Sequence, residues 1–224
     1  MSDLDIVRHP RARALKLSLD PVTGRARLTL PRRAALGPAL AWVDGKAAWL
    51  AAQRARLPEP QPFAPGAVLP VADMVLTIDW TTGPSRTVRR DGDRLVTQGP
   101  IDTLPRRIER WLRCEALDLL SRETAEFASL AGVGVTRVAV GDAKGRWGSC
   151  ASSGVIRYSW RLLLAPGFVR RATAAHEVAH RVHMNHGPAF HALVAKLLGE
   201  EPVAAHAWLR RHGAALHWIG RSTG

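Results

Sequence analysis

Cysteine is almost missing from this sequence. Only Cys114 and Cys150 occur, which excludes a disulfide framework and a thiolate cluster for a structural zinc, and leaves two reduced thiols expected to be packed. Long apolar runs are missing as well. The opening MSDLDIVRHPRARALKLSLD is charged throughout and no later stretch reaches the length of a membrane span, so a cytoplasmic protein is expected rather than a secreted or membrane-embedded one. Lysine is scarce: Lys16, Lys46, Lys144 and Lys196 are the only lysines among 32 basic residues. The arginines that carry the formal net charge of +13 are scattered in pairs such as Arg32-Arg33, Arg89-Arg90, Arg106-Arg107 and Arg210-Arg211. A nucleic-acid groove needs its basic residues clustered on one face, so nucleic acid is an open but unfavoured partner. Against these absences, 46% of the 224 residues are hydrophobic, enough for one good core beside a small second domain.

The apolar spacing predicts an α+β fold. Leu15, Leu17 and Leu19 alternate with polar residues, Asp20 to Gly24 supplies turn chemistry, and Ala26, Leu28 and Leu30 alternate again, which is a hairpin pattern. From Pro38 to Arg56, Leu40, Val43, Ala47 and Leu50 suit an amphipathic helix, which the alternate prolines Pro58, Pro60 and Pro62 break. Short alternating runs at Met74 to Trp80, Ser85 to Arg90 and Arg94 to Thr97 predict a small antiparallel sheet. A long helix follows from Leu104 to Leu130, then strands at Val135 to Val140 and Gly154 to Trp160, a helix opened by Pro166-Gly167, and two shorter helices from Ala189 to Leu198 and Val203 to Arg211. The expected division is an antiparallel β-rich part with a helix over residues 1–100 and a helical/β catalytic half over 101–224.

The chemistry concentrates in His176-Glu177-Val178-Ala179-His180. On a helix, residues four apart lie about 40° apart around the axis and one turn apart along it, so both imidazoles reach one metal ion. Glu177, one position after the first histidine, is placed to take a proton from a metal-activated water. The flanking Ala172 to Ala175 and Val178-Ala179 make this an apolar helix, where two histidines and a glutamate are costly to bury without a shared partner. Zinc keeps a catalytic position open when three protein ligands hold it, so a third ligand is needed. His183 sits at i+7, and on a straight helix it lies about 10 Å along the axis from His176, too far for bonds of about 2.1 Å to one ion. His186, beside the helix-ending Asn185, Gly187 and Pro188, is the favoured choice. His191, Glu200 and Glu201 are read as solvated or outer groups. The spacing His176, His180, His186 equals that of the metzincins, but His183 stands at their glycine position and no methionine follows Met184, so that assignment fails.

Three segments in order carry a more specific likeness: Arg146-Trp147-Gly148-Ser149-Cys150, the run Tyr158 to Leu162 ahead of Ala165-Pro166, and His176 to His180 continuing through Met184-Asn185-His186 to Phe190. With them the chain resembles the YgjP-like metallopeptidases, related to the SprT and WLM zinc proteases. Arg11 to Arg33 and the helix bearing Trp49-Leu50 are similar to that family's opening. The resemblance implies a zincin-like catalytic half, one zinc ion on His176, His180 and His186, Glu177 as acid/base, and a cleft lined or supported by the segment around Trp147, for which a core aromatic role is the other reading. Where relatives often carry an Asp-Tyr pair ahead of the zinc helix, this chain has Arg171-Ala172.

The expected function is zinc-dependent hydrolysis of a peptide bond in a peptide or protein substrate, with Glu177 as general base. Tyr158, His183 and Arg146 are the candidate donors to the developing oxyanion. Two alternatives keep the metal. One is hydrolysis of a nucleoside triphosphate, favoured by the arginines but without a Gly-rich phosphate loop. The other is a nucleic-acid-binding protein with structural zinc, which needs four ligands where three are in view.

Overall fold

The alternating leucines near the N-terminus form the hairpin that their spacing predicts. In the computed structural model, which describes residues 4–222, β2 (Lys16–Leu19) pairs antiparallel with β3 (Ala26–Pro31). An unanticipated strand, β1 (Leu4–His9), lies parallel on the other side of β3. It was hidden because Arg8 and His9 end the apolar run and its outer residues stay exposed. The helix expected from 38 to 56 is two helices, α1 (Leu36–Asp44) and α2 (Ala47–Arg54). The break falls at Gly45-Lys46, where glycine costs a helix about 1 kcal/mol relative to alanine and Lys46 leaves helical geometry at φ −104, ψ 12. Leu28, Leu30, Ala39 and Val43 are the buried core of this first unit, which ends at Glu59.

The second unit starts at Pro60. Its first sheet has the order β4 (Val68–Val71), β5 (Met74–Trp80), β7 (Arg94–Thr97), β6 (Arg89–Asp91). The sheet is mixed, where an antiparallel one was expected: β5 and β7 run parallel. The tight turn at Gly92, with φ +62, folds β6 back onto β7 and lays β7 between its two neighbours. Sequence shows the turn but not which strand the returning one will join. The sheet buries Leu69, Val71, Leu76, Ile78 and Leu95 in one core with Leu104, Ile108 and Leu112. The sheet and the helix that follows it belong to this same unit.

The long helix, α3 (Leu104–Ala131), buries Leu104, Ile108, Leu112, Ala116, Leu120 and Phe127 along one stripe and ends at Gly132 in the left-handed conformation. Three strands follow. Central β10 (Val155–Ser159) pairs parallel with β8 (Arg137–Gly141) and antiparallel with β9 (Gly148–Cys150). Next comes α4 (Gly167–Ala179), buried almost all round, then α5 (Pro188–Leu198) and α6 (Val203–Leu216). Among the described residues no helix is long and apolar enough to cross a membrane. Cys114 is exposed, not packed as expected, while Cys150 is half-buried, and both are free.

Candidate metal centre

A local device and a distant one start α4. Pro166 precedes it in extended geometry, and the Gly167 N–H donates to Asp73 Oδ1 at 2.6 Å, so the turn between β4 and β5 caps this helix from across the unit. A Cβ at Gly167 would sit 2.7 Å from the Asp73 carboxylate, so a larger residue here would push this cap aside. At the other end the helix stops at Ala179 and His180 is its C-cap, earlier than the Gly187-Pro188 break suggests. Val182 and His183 N–H groups both donate to the Ala179 carbonyl, and this turn swings the chain away from the helix axis before α5 begins.

The swing brings His186 back onto the first two histidines. Donor atoms of His176, His180 and His186 all lie within 4.8 Å of one another, and Nε2 of His176 and Nε2 of His186 are 3.2 Å apart. Two nitrogens bound to one tetrahedral ion at about 2.0–2.1 Å are about 3.3 Å apart, so the spacing fits a shared cation. Burial, followed by the neighbouring His180 and His186, pushes the His176 ring down to about 4, which keeps it neutral. Burial lowers His180 too. His180 Nδ1 donates to the His183 carbonyl at 3.1 Å; since a carbonyl only accepts, the proton is on Nδ1 and the Nε2 lone pair is free. Phe190, 1% exposed, holds all three rings, with centroid distances of 4.9, 4.6 and 4.7 Å to His176, His180 and His186.

Glu177 is 5% exposed, and its Oε2 is a buried acceptor without a partner. Such an atom is costly to leave unpaired, and here it belongs to the acid that follows His176 in the chain. Burial pushes the carboxyl up to about 7, against the opposing pull of Arg146. The carboxylate lies over Gly148 in β9, where any Cβ would overlap its oxygen and carbon atoms. The glycine of the Trp147-Gly148-Ser149 segment thereby makes room for the carboxylate.

The remaining anticipated residues are distributed unevenly. Tyr158 is 2% exposed; its hydroxyl is 2.9 Å from Thr124 Oγ1 in the core, and burial raises it well above the ordinary phenol. His183 meets the site through its backbone carbonyl and is not among the clustered rings. Arg146 is exposed, and its charge is felt by Glu177. Trp147 rests on His217, centroids 5.2 Å apart, and against Gly213 of α6, where a Cβ would come within 2.9 Å of its ring. His191 is exposed, its ring 6.4 Å from that of His186, and Glu200 and Glu201 are exposed.

Beside the histidines opens a cleft of about 220 Å³ lined by Trp147, Gly148, Ala172, Thr173, His176, Glu177, Ala205, His206 and Leu209. Of the Arg171-Ala172 pair, Arg171 turns to α3 and makes a bidentate ion pair with Glu126 at 2.8 and 2.6 Å, while Ala172 lines the cleft. Phe190, Asp73 and the α6 residues Ala205, His206 and Leu209 were not anticipated. Phe190 follows His186 by four positions and closes the segment that carries the family likeness, which is a usable signal; the others approach only through folding. The model of the family described as YgjP-like, metallopeptidase domain, matches residues 14–212. No curated protein and no solved structure matches the chain.

Proposed function

The chain belongs to the YgjP-like metallopeptidase-domain family, and from that premise we propose that it is a zinc-dependent peptidase that cleaves peptide or protein substrates. One zinc ion would be held by His176, His180 and His186. The carrying observation is the cluster of three imidazoles, with donor atoms within 4.8 Å of one another, beside a cleft that His176 lines together with Glu177, whose Oε2 is buried and unpartnered.

A bound ion would supply Lewis acidity to water and to the substrate carbonyl. This chain's residues do the rest. His180, fixed by the His183 carbonyl, would hold the ion through Nε2, and Phe190 packs against all three rings. Glu177 Oε2 takes a proton from the attacking water as its oxygen adds to the carbonyl carbon, then returns a proton to the leaving nitrogen as the C–N bond breaks. Burial, which raises the Glu177 carboxyl, makes it a stronger base than a solvated glutamate for the first transfer. Arg146, exposed and electrostatically coupled to Glu177, is the donor best placed to meet negative charge developing on the substrate.

Elemental analysis of wild type, His186→Ala and Glu177→Gln, with hydrolysis of an unfolded protein and of nucleoside triphosphates assayed on the same samples, tests this. The expected result is one zinc in wild type and Glu177→Gln, loss of zinc in His186→Ala, and proteolysis by wild type alone. Zinc retained by His186→Ala, or full activity in Glu177→Gln, overturns the assignment, and hydrolysis of triphosphates alone overturns the substrate class.

A further inference from the structure

We infer that the cleft beside the histidines is a subsite for one apolar side chain of the substrate, adjoining the scissile bond, and that Ala172 and Ala205 set its depth; this rests on the peptidase reading above. The cleft measures about 220 Å³, below the range of about 300–1,000 Å³ typical of whole small-molecule sites and on the scale of a single side chain. His176 and Glu177 line it directly, so whatever fills it touches the residues assigned to the chemistry.

Away from His176, Glu177, His206 and Thr173, its walls are apolar. Ala172 comes from α4, Ala205 and Leu209 from α6, and Trp147 from the segment ahead of β9. Thr173 also lines it, but its hydroxyl already donates to the Val169 carbonyl at 2.9 Å and offers no donor to a ligand. No lysine, arginine, asparagine or glutamine lines the space. A charged side chain entering it would lose its water with no lysine, arginine, asparagine or glutamine on the walls to replace it, and an acidic one would also meet Glu177. An apolar side chain loses nothing and gains burial against Trp147 and Leu209. Lengthening either alanine removes the volume; shortening Leu209 adds to it.

The zinc-loaded full chain is tested in two ways on wild type, Ala205→Phe, Ala172→Leu and Leu209→Ala, each checked for zinc content and melting temperature. Cleavage sites in an unfolded protein are mapped by mass spectrometry, and backbone amide shifts of residues 172, 173, 205 and 209 are followed during titration with N-acetyl-leucine amide and N-acetyl-aspartate amide. In wild type, leucine-sized residues should be favoured over alanine at one position beside the cut by at least about tenfold, the discrimination a methylene or more earns in an apolar pocket, and only the leucine amide should shift those resonances. Ala205→Phe and Ala172→Leu should move the preference to small residues, and Leu209→Ala to larger ones, with zinc content unchanged. Proteolysis with no favoured position, or a profile unchanged in all folded, zinc-holding variants, overturns the subsite and leaves the peptidase standing. Absence of proteolysis with the leucine shifts intact overturns the peptidase and supports an apolar-ligand site; absence of both overturns both.

Discussion

At the scale of single residues, small side chains and neutral ones do much of the work around the histidines. Gly148 is the sharpest case, since its missing Cβ is the space that the Glu177 carboxylate occupies. Gly148→Ala should leave zinc content unchanged and reduce kcat/KM on the order of 100-fold, the effect of displacing a catalytic group by about 1 Å; elemental analysis beside steady-state kinetics checks it, and an undiminished rate would refute the crowding. Phe190 acts by packing. Phe190→Ala removes a fully buried ring worth about 3–5 kcal/mol that also touches all three imidazoles. The expected outcome is a lower melting temperature together with faster loss of zinc to a competing chelator, whereas an ordinary core truncation would show the first without the second.

Helix α4 is held at its start by a group remote in sequence. Asp73 caps its start, so Asp73→Ala should destabilise the fold by about 1 kcal/mol, the usual effect of removing a cap, and Asp73→Asn by less, because an amide oxygen still accepts the Gly167 N–H. Urea denaturation at pH 7 reads both. The segment beyond α6 is tied down by Arg161, whose Nη1 donates to the Leu216 and Ile219 carbonyls at 2.6 and 2.9 Å while its Nε bonds Asp142 at 2.7 Å. Burial by itself raises the Asp142 carboxyl, but the hydrogen bond and charge of Arg161 outweigh it and hold the group below its ordinary 3.8. A depressed carboxyl stabilises the fold above its unfolded value and loses that contribution as pH falls through the folded one. Wild type should therefore be more stable than Asp142→Asn at pH 6, with the gap closing as pH drops below 3.8; a gap that stays constant from pH 6 to pH 2.5 would remove the ion pair from the account.

For the whole molecule, the site belongs to the unit that begins at Pro60, whose single core runs from Phe63 to Ile219 and takes in the mixed sheet, α3 and the helices around the histidines. A cation bound only by the folded form stabilises it by mass action, about 2.7 kcal/mol at 100 times Kd. Chelation should accordingly lower the melting temperature of wild type and leave that of His186→Ala where it was; an equal response in both would mean that the ion sits elsewhere. The positive charge does not gather at this site. Its cleft is lined by no arginine or lysine, and Arg161 and Arg170 are buried against Asp142 and Glu123 while Arg171 pairs with Glu126 at the surface.

From residue types and spacing alone come the helix bearing His176, Glu177 and His180, the expectation that His186 joins them, the hairpin of β2 and β3, and the length of α3. Each is a local periodicity or a local stop signal, readable because a helix or hairpin relates residues a few positions apart. The mixed order of the β4–β7 sheet, the cap from Asp73, the room at Gly148 and the α6 wall of the cleft depend instead on contacts between residues far apart in sequence. Asp73 and Gly167 are separated by 94 positions, and nothing in either neighbourhood marks the other. Spacing identifies residues suited to hold a metal and activate water; the packing of α4 against β9, α5 and α6 sets the burial, the neutral rings and the size of the space beside them, because desolvation and shape are properties of what surrounds a side chain rather than of the side chain.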